Sequence, residues 1–413
     1  MQMSSTTRIP PRRIVASPPA TPYDKVIVFL TSFIFAGTMV APPVFGIYKV
    51  VKHLLNARRK SFAASSLPPT PHQEEVETEP EMVHKFTTNT TNSGTDNQTF
   101  LFSEASEARR LEEEDALKQR RRLLIAAATA VATTISIYAY WVSNTRASTK
   151  TRHWFKNLPI WASWRRYFRF EVLDDSLYSP SLVLPSSQKV VALIPHGLLP
   201  YGLAMAAISP EAEREAWGSF RVVAATATKL CPPLAYFIRN IGGVDASRTC
   251  VDAALLAGES VAVAPGGIGE MFVGYPKFGC SPNEEVALLS DRKGFIRLCI
   301  KHGIPAIPVY VFGASKSMKR LEIPGLELLS KMFRASLVVM FGRFGTPMPF
   351  PQKLTYVMGT PIFPKSRKTK GLVNLVSEAA TDEMHGRFCE ELIRVFESNK
   401  GDYSWDHKTL KIA

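Results

Sequence analysis

Uncharged apolar residues dominate two long runs, residues 26–48 and 123–142, and then recur from residue 189 in short runs separated by amphipathic stretches. Each long run is about the length that a helix needs to cross a bilayer. Pro42 and Pro43 interrupt the first run, so we predict that it kinks or turns back within the membrane. Together the two runs predict an N-terminal membrane hairpin.

The short runs are rich in Val and Ile, which is typical of strands buried on both faces of a sheet. Helix-like stretches lie between them, and this alternation favours a mostly parallel sheet flanked by helices. The sequence therefore predicts an α/β fold. The predicted strands are 190–194, 221–225, 260–264, 306–312 and 337–341, and the predicted helices are 232–240, 248–257, 293–302 and 378–399.

Composition distinguishes the remaining segments. Residues 1–25 are rich in Ser, Thr and Pro and are predicted to be disordered, with a cleaved targeting peptide as the alternative. Residues 154–170 mix aromatic with basic side chains, which is typical of a helix at the membrane interface, although an amphipathic core helix has the same pattern. The predicted segments are a disordered N-terminus (1–25), a transmembrane or re-entrant segment (26–51), a polar linker with a charged helix (52–122), a transmembrane segment (123–142), an interfacial connector (143–188) and a catalytic domain (189–413).

The charge of the chain indicates an anionic partner. The formal net charge of +14 suits nucleic acid, an anionic membrane surface or a phosphorylated small molecule. No nucleic-acid recognition motif accompanies this charge, so no nucleic-acid partner is expected. The two apolar runs favour the membrane.

Cysteine usage bears on the compartment. The five cysteines are an odd number without Cys-x-x-Cys spacing, which argues for a reducing compartment and against a disulfide framework. No His or Cys pair has the spacing of a zinc site, so no metal is expected. Basic residues flank both apolar runs and give no clear orientation, and we expect a hairpin with both ends in the cytosol.

His196 follows the first predicted strand of the α/β domain, in the sequence Pro195-His196-Gly197. Open α/β sheets bind ligands at the carboxyl ends of their strands. An imidazole is also suited to proton transfer near neutral pH. We interpret His196 as a candidate catalytic residue, and the alternative is a histidine that only caps the strand.

A second candidate segment is Pro265-Gly266-Gly267, which follows another predicted strand and precedes Glu270. Tandem glycines allow backbone N–H groups to approach an anion or a developing oxyanion closely. Glu270 is a candidate to orient His196 or to bind a substrate hydroxyl. The alternative is a glycine turn with a solvated glutamate.

Basic residues around glycines form the candidate phosphate site. Arg239 and Arg248 bracket a glycine pair, and Ser247 is placed to cap the helix predicted to begin near Arg248. Lys293 lies in a second basic segment around a glycine, Arg292 to Arg297. Two surface arginines around a turn are the alternative. A Gly-x-Ser-x-Gly elbow and a P-loop are both absent from the sequence.

Several motifs occur in a fixed order along the C-terminal part of the chain. They are Pro195-His196-Gly197, the 239–248 segment, Pro265-Gly266-Gly267 with Glu270, Lys293-Gly294-Phe295, the 308–313 segment and Gly359-Thr360-Pro361-Ile362. From about residue 167 onward the chain resembles the diacylglycerol acyltransferase type 2 family, which includes monoacylglycerol and wax-ester acyltransferases.

The resemblance implies an O-acyltransferase of the endoplasmic reticulum membrane or lipid droplets. Such an enzyme moves a fatty acyl group from acyl-CoA, its co-substrate, to diacylglycerol and needs no cofactor. His196 matches the motif histidine, and we expect it to act as general base while the acceptor hydroxyl attacks the thioester directly. Gly266 and Gly267 would stabilise the oxyanion, and Arg239, Ser247, Arg248 and Lys293 would bind CoA. Membrane lipid is an expected partner, and a homo-oligomer is left open.

Departures from the family pattern leave the acceptor open. Ile194 stands where the family often has His or Glu, Arg169 replaces a proline, and Gly313 is followed by Ala-Ser rather than Glu-Asn. Related glycerol-phosphate acyltransferases have an Asp five residues after their histidine, where this chain has Tyr201; Glu270 is therefore the candidate carboxylate. Monoacylglycerol, a fatty alcohol or a lysolipid are alternative acceptors, and a non-catalytic membrane-hairpin or lipid-droplet protein is the alternative from another class.

Overall fold

The computed structural model describes residues 10–33, 114, 115, 117, 118, 121, 151–176, 187–230, 232–333, 338–365 and 377–413. The chain divides into two units. One comprises Met1–Pro42 with Thr145–Ala413, and the other is Pro43–Asn144, in which the described residues are helical.

The predicted membrane hairpin falls largely outside the described residues. Residues 22–33 are helical, but the rest of the 26–51 segment and the whole of the 123–142 segment are not among those described. Of the helices that are described, none has both the length and the apolar composition for crossing a membrane.

A large sheet forms the centre of the first unit. Its strands are β1 (Arg12–Ala16), β2 (Glu171–Asp174), β3 (Val190–Ile194), β4 (Arg221–Ala224), β5 (Val244–Asp245), β6 (Val261–Val263), β8 (Ala306–Phe312) and β11 (Thr355–Met358). The strand order is β1-β2-β11-β8-β3-β6-β4-β5. Five of its seven described pairings are parallel, and β11 with β8 and β1 with β2 are antiparallel. The predicted α/β fold with a mostly parallel sheet is confirmed.

Two short pairings lie outside the large sheet. One joins β7 (Glu284–Ala287) to β12 (Thr409–Ile412), and the other joins β9 (Lys319–Arg320) to β10 (Met340–Phe341). The strand predicted at 337–341 is therefore reduced, within the described residues, to a two-residue strand of a hairpin.

Helices cover both faces of the large sheet. They are residues 22–33 (α1), His153–Lys156 (α2), Pro159–Tyr167 (α3), Tyr201–Ala207 (α4), Pro210–Ala212 (α5), Pro232–Asn240 (α6), Arg248–Leu256 (α7), Gly267–Glu270 (α8), Gly294–His302 (α9), Leu326–Phe333 (α10) and Glu378–Asn399 (α11). An apolar cluster lies on each face of the sheet, and successive side chains of β3 point to opposite faces. Val191 and Leu193 pack into one cluster, and Val190, Ala192 and Ile194 pack into the other. The helices predicted at 232–240 and 378–399 have the predicted bounds.

The N-terminal segment differs from the prediction of disorder. β1 pairs with β2 at the edge of the sheet. Thr21 and Asp24 then form a reciprocal cap at the start of α1, because each backbone N–H donates to the side chain of the other. Asp24 is fully buried and pairs with Arg166 of α3, Oδ1 lying 2.6 Å from Nη2. The pairing with β2, the local Thr21–Asp24 cap and the ion pair with Arg166 therefore hold the described residues 10–25 in place.

The segment predicted as an interfacial connector also differs. Trp161, Trp164 and Tyr167 of α3 are buried in one apolar cluster with Phe168 and Phe170. The Trp164 indole N–H donates to the Thr31 hydroxyl of α1 at 3.0 Å. The segment 154–170 therefore corresponds to the alternative, an amphipathic core segment, because its aromatic side chains other than the exposed Trp154 pack into this cluster.

Candidate active site

His196 lies directly after β3, on the loop that leaves the carboxyl end of a central strand. Pro195 ends the strand, and Gly197 turns the chain at φ 73°. A Cβ on Gly197 would lie 2.7 Å from the carbonyl oxygen of Ala314, so no larger residue fits here without displacing the backbone. The sequence prediction of a sharp turn after His196 is confirmed.

One contact fixes the proton on the His196 ring. Nδ1 lies 2.7 Å from the carbonyl oxygen of Gly197. A carbonyl oxygen can only accept, so Nδ1 must carry the proton and donate it to this bond. In the neutral ring Nε2 is then the basic nitrogen. Burial lowers the pKa of the His196 imidazole, although the Gly197 carbonyl acts in the opposite direction, and the neutral form is therefore favoured near pH 7.

Glu270 is the second buried titratable group of the site. Its Oε2 accepts a hydrogen bond from the backbone N–H of His196 at 3.1 Å. Burial raises the pKa of the Glu270 carboxyl to about 7, while the nearby N–H groups of His196 and Leu288 and the Arg292 guanidinium act in the opposite direction. Glu270 therefore holds the main chain of His196. In the described structure it makes no hydrogen bond to the imidazole ring, which corrects the prediction that it orients that ring.

Gly266 provides the space for this carboxylate. A Cβ on Gly266 would lie 2.3 Å from Oε2 of Glu270, so the carboxylate folds back over its own turn only because residue 266 has no side chain. β3 and β6 are parallel neighbours, and their carboxyl ends therefore bring His196, Gly266 and Glu270 together.

The two glycines differ in what their N–H groups can do. The Gly267 N–H donates to the carbonyl oxygen of Ala264 at 3.1 Å. This hydrogen bond closes the turn and uses the Gly267 N–H. The expectation that Gly267 donates to an oxyanion is therefore wrong for this conformation. The Gly266 N–H makes no backbone hydrogen bond within the described residues.

The candidate phosphate residues lie further along the same sheet edge. Arg239 lines a shallow open pocket at the carboxyl ends of β4 and β5, together with Lys229 and Asp245. Neither Arg239 nor the exposed Arg248 forms an ion pair in the part of the chain that the structure describes. Both guanidinium groups are therefore available to an anion.

Ser247 is only partly as predicted. It precedes α7, which begins at Arg248, but its hydroxyl makes no capping hydrogen bond. Its backbone N–H donates instead to Oδ1 of Asp245 at 2.9 Å. Burial raises the pKa of Asp245, yet hydrogen bonds from Lys229, Ser247 and Thr226 outweigh it, and the net effect lowers that pKa. The Lys229–Asp245 ion pair, with Nζ 2.6 Å from Oδ2, could not be predicted from the sequence, since the spacing of these residues follows no motif.

Lys293 is not brought to His196 by any described contact. Its Nζ lies 2.7 Å from Oδ1 of Asp382 on α11, and this hydrogen bond raises the pKa of Lys293. Its neighbour Arg292 lies instead beside Gly269 and acts on Glu270. The sequence identified this basic segment, but the residue directed at the site is Arg292.

Tyr201 takes the place at which related enzymes carry an aspartate. Its ring stacks on that of Trp164, with centroids 5.7 Å apart. Burial raises the pKa of the Tyr201 hydroxyl. The carboxylate that contacts His196 is therefore that of Glu270, at the end of α8 after β6, and the helix that follows His196 does not supply it.

Several known acyltransferases are similar to this chain in sequence. The family profile described as "Diacylglycerol acyltransferase" matches residues 124–412. Human 2-acylglycerol O-acyltransferase 1 is 22% identical over 307 residues, covering 66% of this chain and 82% of the relative. Human acyl-CoA wax alcohol acyltransferase 2 is 23% identical, covering 62% and 76%, and human diacylglycerol O-acyltransferase 2 is 24% identical, covering 60% and 64%.

A solved structure also aligns with the chain. The crystal structure of the 1-acyl-sn-glycerophosphate (LPA) acyltransferase from Thermotoga maritima aligns at 15% identity and a TM-score of 0.36, covering 65% of this chain and 83% of that one. The family profile, by contrast, spans more than half of the sequence. The chain therefore belongs to the diacylglycerol acyltransferase family and is an acyltransferase.

Proposed function

We propose that this acyltransferase moves a fatty acyl group from acyl-CoA to the free hydroxyl of diacylglycerol and so makes triacylglycerol. The observation that carries the proposal is the state of His196. Its Nδ1 is committed to the Gly197 carbonyl, so Nε2 is the basic nitrogen at the sheet edge beside the Gly266 turn.

In the proposed reaction His196 acts as general base. Nε2 accepts the proton of the acceptor hydroxyl while that oxygen attacks the thioester carbonyl carbon. The C–S bond then breaks, the ester forms, and the CoA sulfur leaves with the proton that His196 had accepted. General base catalysis of this kind contributes about 10²–10⁴-fold to the rate.

Two further groups assist this step. The Gly266 N–H is the candidate donor to the oxyanion, and a donor so placed is worth about 2.7–4 kcal/mol in comparable sites. Glu270 keeps the His196 backbone in place and is a positioning residue. Arg239 and Arg248 would bind the phosphates of CoA, because guanidinium groups form strong charge-assisted hydrogen bonds with phosphate oxygens.

The proposed location is the endoplasmic reticulum membrane, with the catalytic unit in the cytosol and lipid droplets as a second site. The apolar segments 26–51 and 123–142 support this proposal, since each has about the length of a membrane span. A fluorescent fusion of the full chain, imaged against markers of both compartments, would test it.

The function is tested with labelled acyl-CoA and diacylglycerol in microsomes from a yeast strain that makes no triacylglycerol of its own. His196→Ala is expected to lower triacylglycerol synthesis at least about 100-fold. His407→Ala is the matched control, because His407 is exposed near the C-terminus. Equal activity of both variants would refute the role of His196.

A second candidate function is acyl transfer to another hydroxyl. The relatives include proteins named for 2-acylglycerol and for wax alcohols, and Ile194 departs from the family pattern directly before the Pro-His pair. The same microsomes, given monoacylglycerol, a fatty alcohol and a lysolipid in turn, decide between the acceptors by their products.

A further inference from the structure

The helix α10 exposes several apolar side chains and buries a polar one. Leu328 is 71% exposed and Met332 is 64% exposed, whereas Ser330 between them is fully buried. Leu329 is exposed as well. A helix that packs on a core in water presents its apolar residues to the protein, so this outward face indicates a partner other than water.

The β9–β10 hairpin adjoins α10, because the Leu326 N–H donates to the carbonyl oxygen of Ile323 at 3.2 Å, and it exposes apolar residues as well. Leu321 and Ile323 follow β9 and are exposed, and so is Val339, directly before β10. The Leu321 N–H donates to the carbonyl oxygen of Val339 at 2.9 Å, which holds the two arms together. We define the apolar platform as Leu321, Ile323, Leu328, Leu329, Met332 and Val339. Contiguous exposed apolar residues of this kind mark a protein or membrane interaction site.

The charges around the apolar platform favour an anionic lipid surface. Within the described part of residues 316–344, the cations that reach the surface are Lys316, Lys319, Lys331 and Arg343, against two Glu. Both glutamates have cationic partners: Glu327 lies 3.0 Å from Lys277 and 2.8 Å from Lys331, and Glu322 pairs with Arg320. Aliphatic side chains inside a cationic surround are the combination that binds at an anionic bilayer surface.

The apolar platform is firmly joined to the candidate site. Arg320 is buried, and its guanidinium donates to the carbonyl oxygens of Met271 at 2.6 Å and Gly274 at 3.1 Å. These carbonyls belong to the segment directly after Glu270. A surface that contacts α10 would therefore lie beside the turn that holds His196.

We propose that the apolar platform is a lipid-binding surface, separate from the N-terminal apolar segments, that seats the catalytic unit on the bilayer next to its active site. The acceptor and the acyl donor then reach the site from the lipid phase. The proposal requires no particular acceptor, so it goes beyond the proposed reaction and does not depend on it.

Photo-cross-linking of the full chain tests this proposal. The full-length protein carrying Leu328→p-benzoylphenylalanine is reconstituted into phosphatidylcholine–phosphatidylserine vesicles that contain an alkyne-tagged phospholipid. Leu256→p-benzoylphenylalanine is the matched control, because Leu256 is 72% exposed at the end of α7 and lies outside the platform. Both positions are exposed, so neither substitution disturbs the core, and circular dichroism checks the fold.

The expected result is lipid labelling through position 328 about tenfold above that through position 256, since a side chain in the acyl region contacts lipid continuously. Equal labelling at the two positions would overturn the proposal. Cross-linking of position 328 to a second copy of the chain, or within the chain, in place of lipid would also overturn it. Labelling does not depend on catalysis, so its failure is distinct from failure of the acyl-transfer assay.

Discussion

The backbone N–H of His196 donates to Oε2 of Glu270 at 3.1 Å, so a buried carboxylate from one strand end holds the main chain of the candidate base on the next. The imidazole itself is oriented separately, by the carbonyl of Gly197. These two contacts have different effects. Glu270 holds the backbone of His196 in place, and the Gly197 carbonyl determines which ring nitrogen is basic.

Glu270→Gln should change how stability depends on pH. Burial raises the pKa of the Glu270 carboxyl from 4.5 to about 7 in the folded chain. The folded state therefore binds this proton more tightly than the unfolded state does. The resulting stabilisation of the fold is fully present below pH 4.5 and is lost as the pH rises through 7. The shift corresponds to about 3 kcal/mol. Glutamine cannot ionise. The free energy of unfolding of the variant should therefore rise relative to that of the wild type by about this amount between pH 4.5 and 8.

Chemical denaturation in detergent at several pH values measures this difference. The amide oxygen of Gln can still accept from the His196 N–H, so the backbone contact is retained at all pH values. A constant difference between wild type and variant from pH 4.5 to 8 would contradict the raised pKa.

Gly266→Ala should disable the site while the fold survives. The new Cβ would lie 2.3 Å from Oε2 of Glu270, so the carboxylate must leave its position and release the His196 backbone. We expect acyl transfer to fall by about 10²-fold, since small displacements of catalytic groups have effects of this size. Gly294→Ala is the control, because a Cβ at that residue would have no atom within 4 Å. Similar kinetics for both variants would argue against the role of Gly266.

Arg239→Gln combined with Arg248→Gln should weaken binding of the CoA nucleotide. Neither guanidinium has an ion-pair partner among the described residues, and both lie near the carboxyl ends of β4 and β5. Removal of two phosphate contacts should raise KM for acyl-CoA about tenfold or more. KM for acyl-pantetheine, which lacks the nucleotide phosphates, should not change. A parallel rise for both donors would place the arginines outside the phosphate site.

Asp24→Asn should destabilise the catalytic unit. The Asp24 carboxylate is buried against Arg166, and the hydrogen bond from Arg166 lowers the pKa of Asp24 by more than burial raises it. A lowered folded pKa stabilises the protein above the usual Asp pKa and loses that contribution as the pH falls. The expected cost at pH 7 is about 3 kcal/mol. Glu215→Gln, which alters an exposed ion pair with Arg214, should cost less than about 1 kcal/mol.

Thermal unfolding in detergent at pH 7 and at pH 3.5 measures this cost. The deficit of Asp24→Asn should shrink at the lower pH, because the unfolded wild-type chain then binds a proton at Asp24 that the folded chain does not. A deficit that does not change with pH would show that packing, rather than the ion pair, joins α1 to α3.

The elements that could be predicted from the sequence are those whose own side chains show whether they are buried or exposed. Val190–Ile194 and Ala306–Phe312 have the predicted bounds, because strands buried on both faces are continuous apolar runs. Arg12–Ala16 was missed, since an edge strand with a half-exposed, partly basic sequence has no such run. Thr355–Met358 was also missed, and its place between β2 and β8 depends on partners distant in sequence.

The candidate site shows the same limit. His196, Gly266 and Glu270 could be singled out because strand ends and glycine turns are local features. Which atom of each residue is used could not be deduced, since Glu270 contacts the main chain of His196. Lys293 was predicted to bind CoA, but its charge is already paired. Its partner Asp382 lies 89 residues later, so no local pattern in the sequence reveals this ion pair.

The pairing of Ala16 with Glu171 has a consequence for biosynthesis. β1 is synthesised before β2. It can pair with β2 only after both apolar segments and the start of the catalytic unit have been synthesised. A shortened enzyme that begins after those segments would also expose β2 as a free edge and leave Arg166 without its carboxylate. A shortened chain that lacks residues 34–150 should therefore still keep residues 10–33.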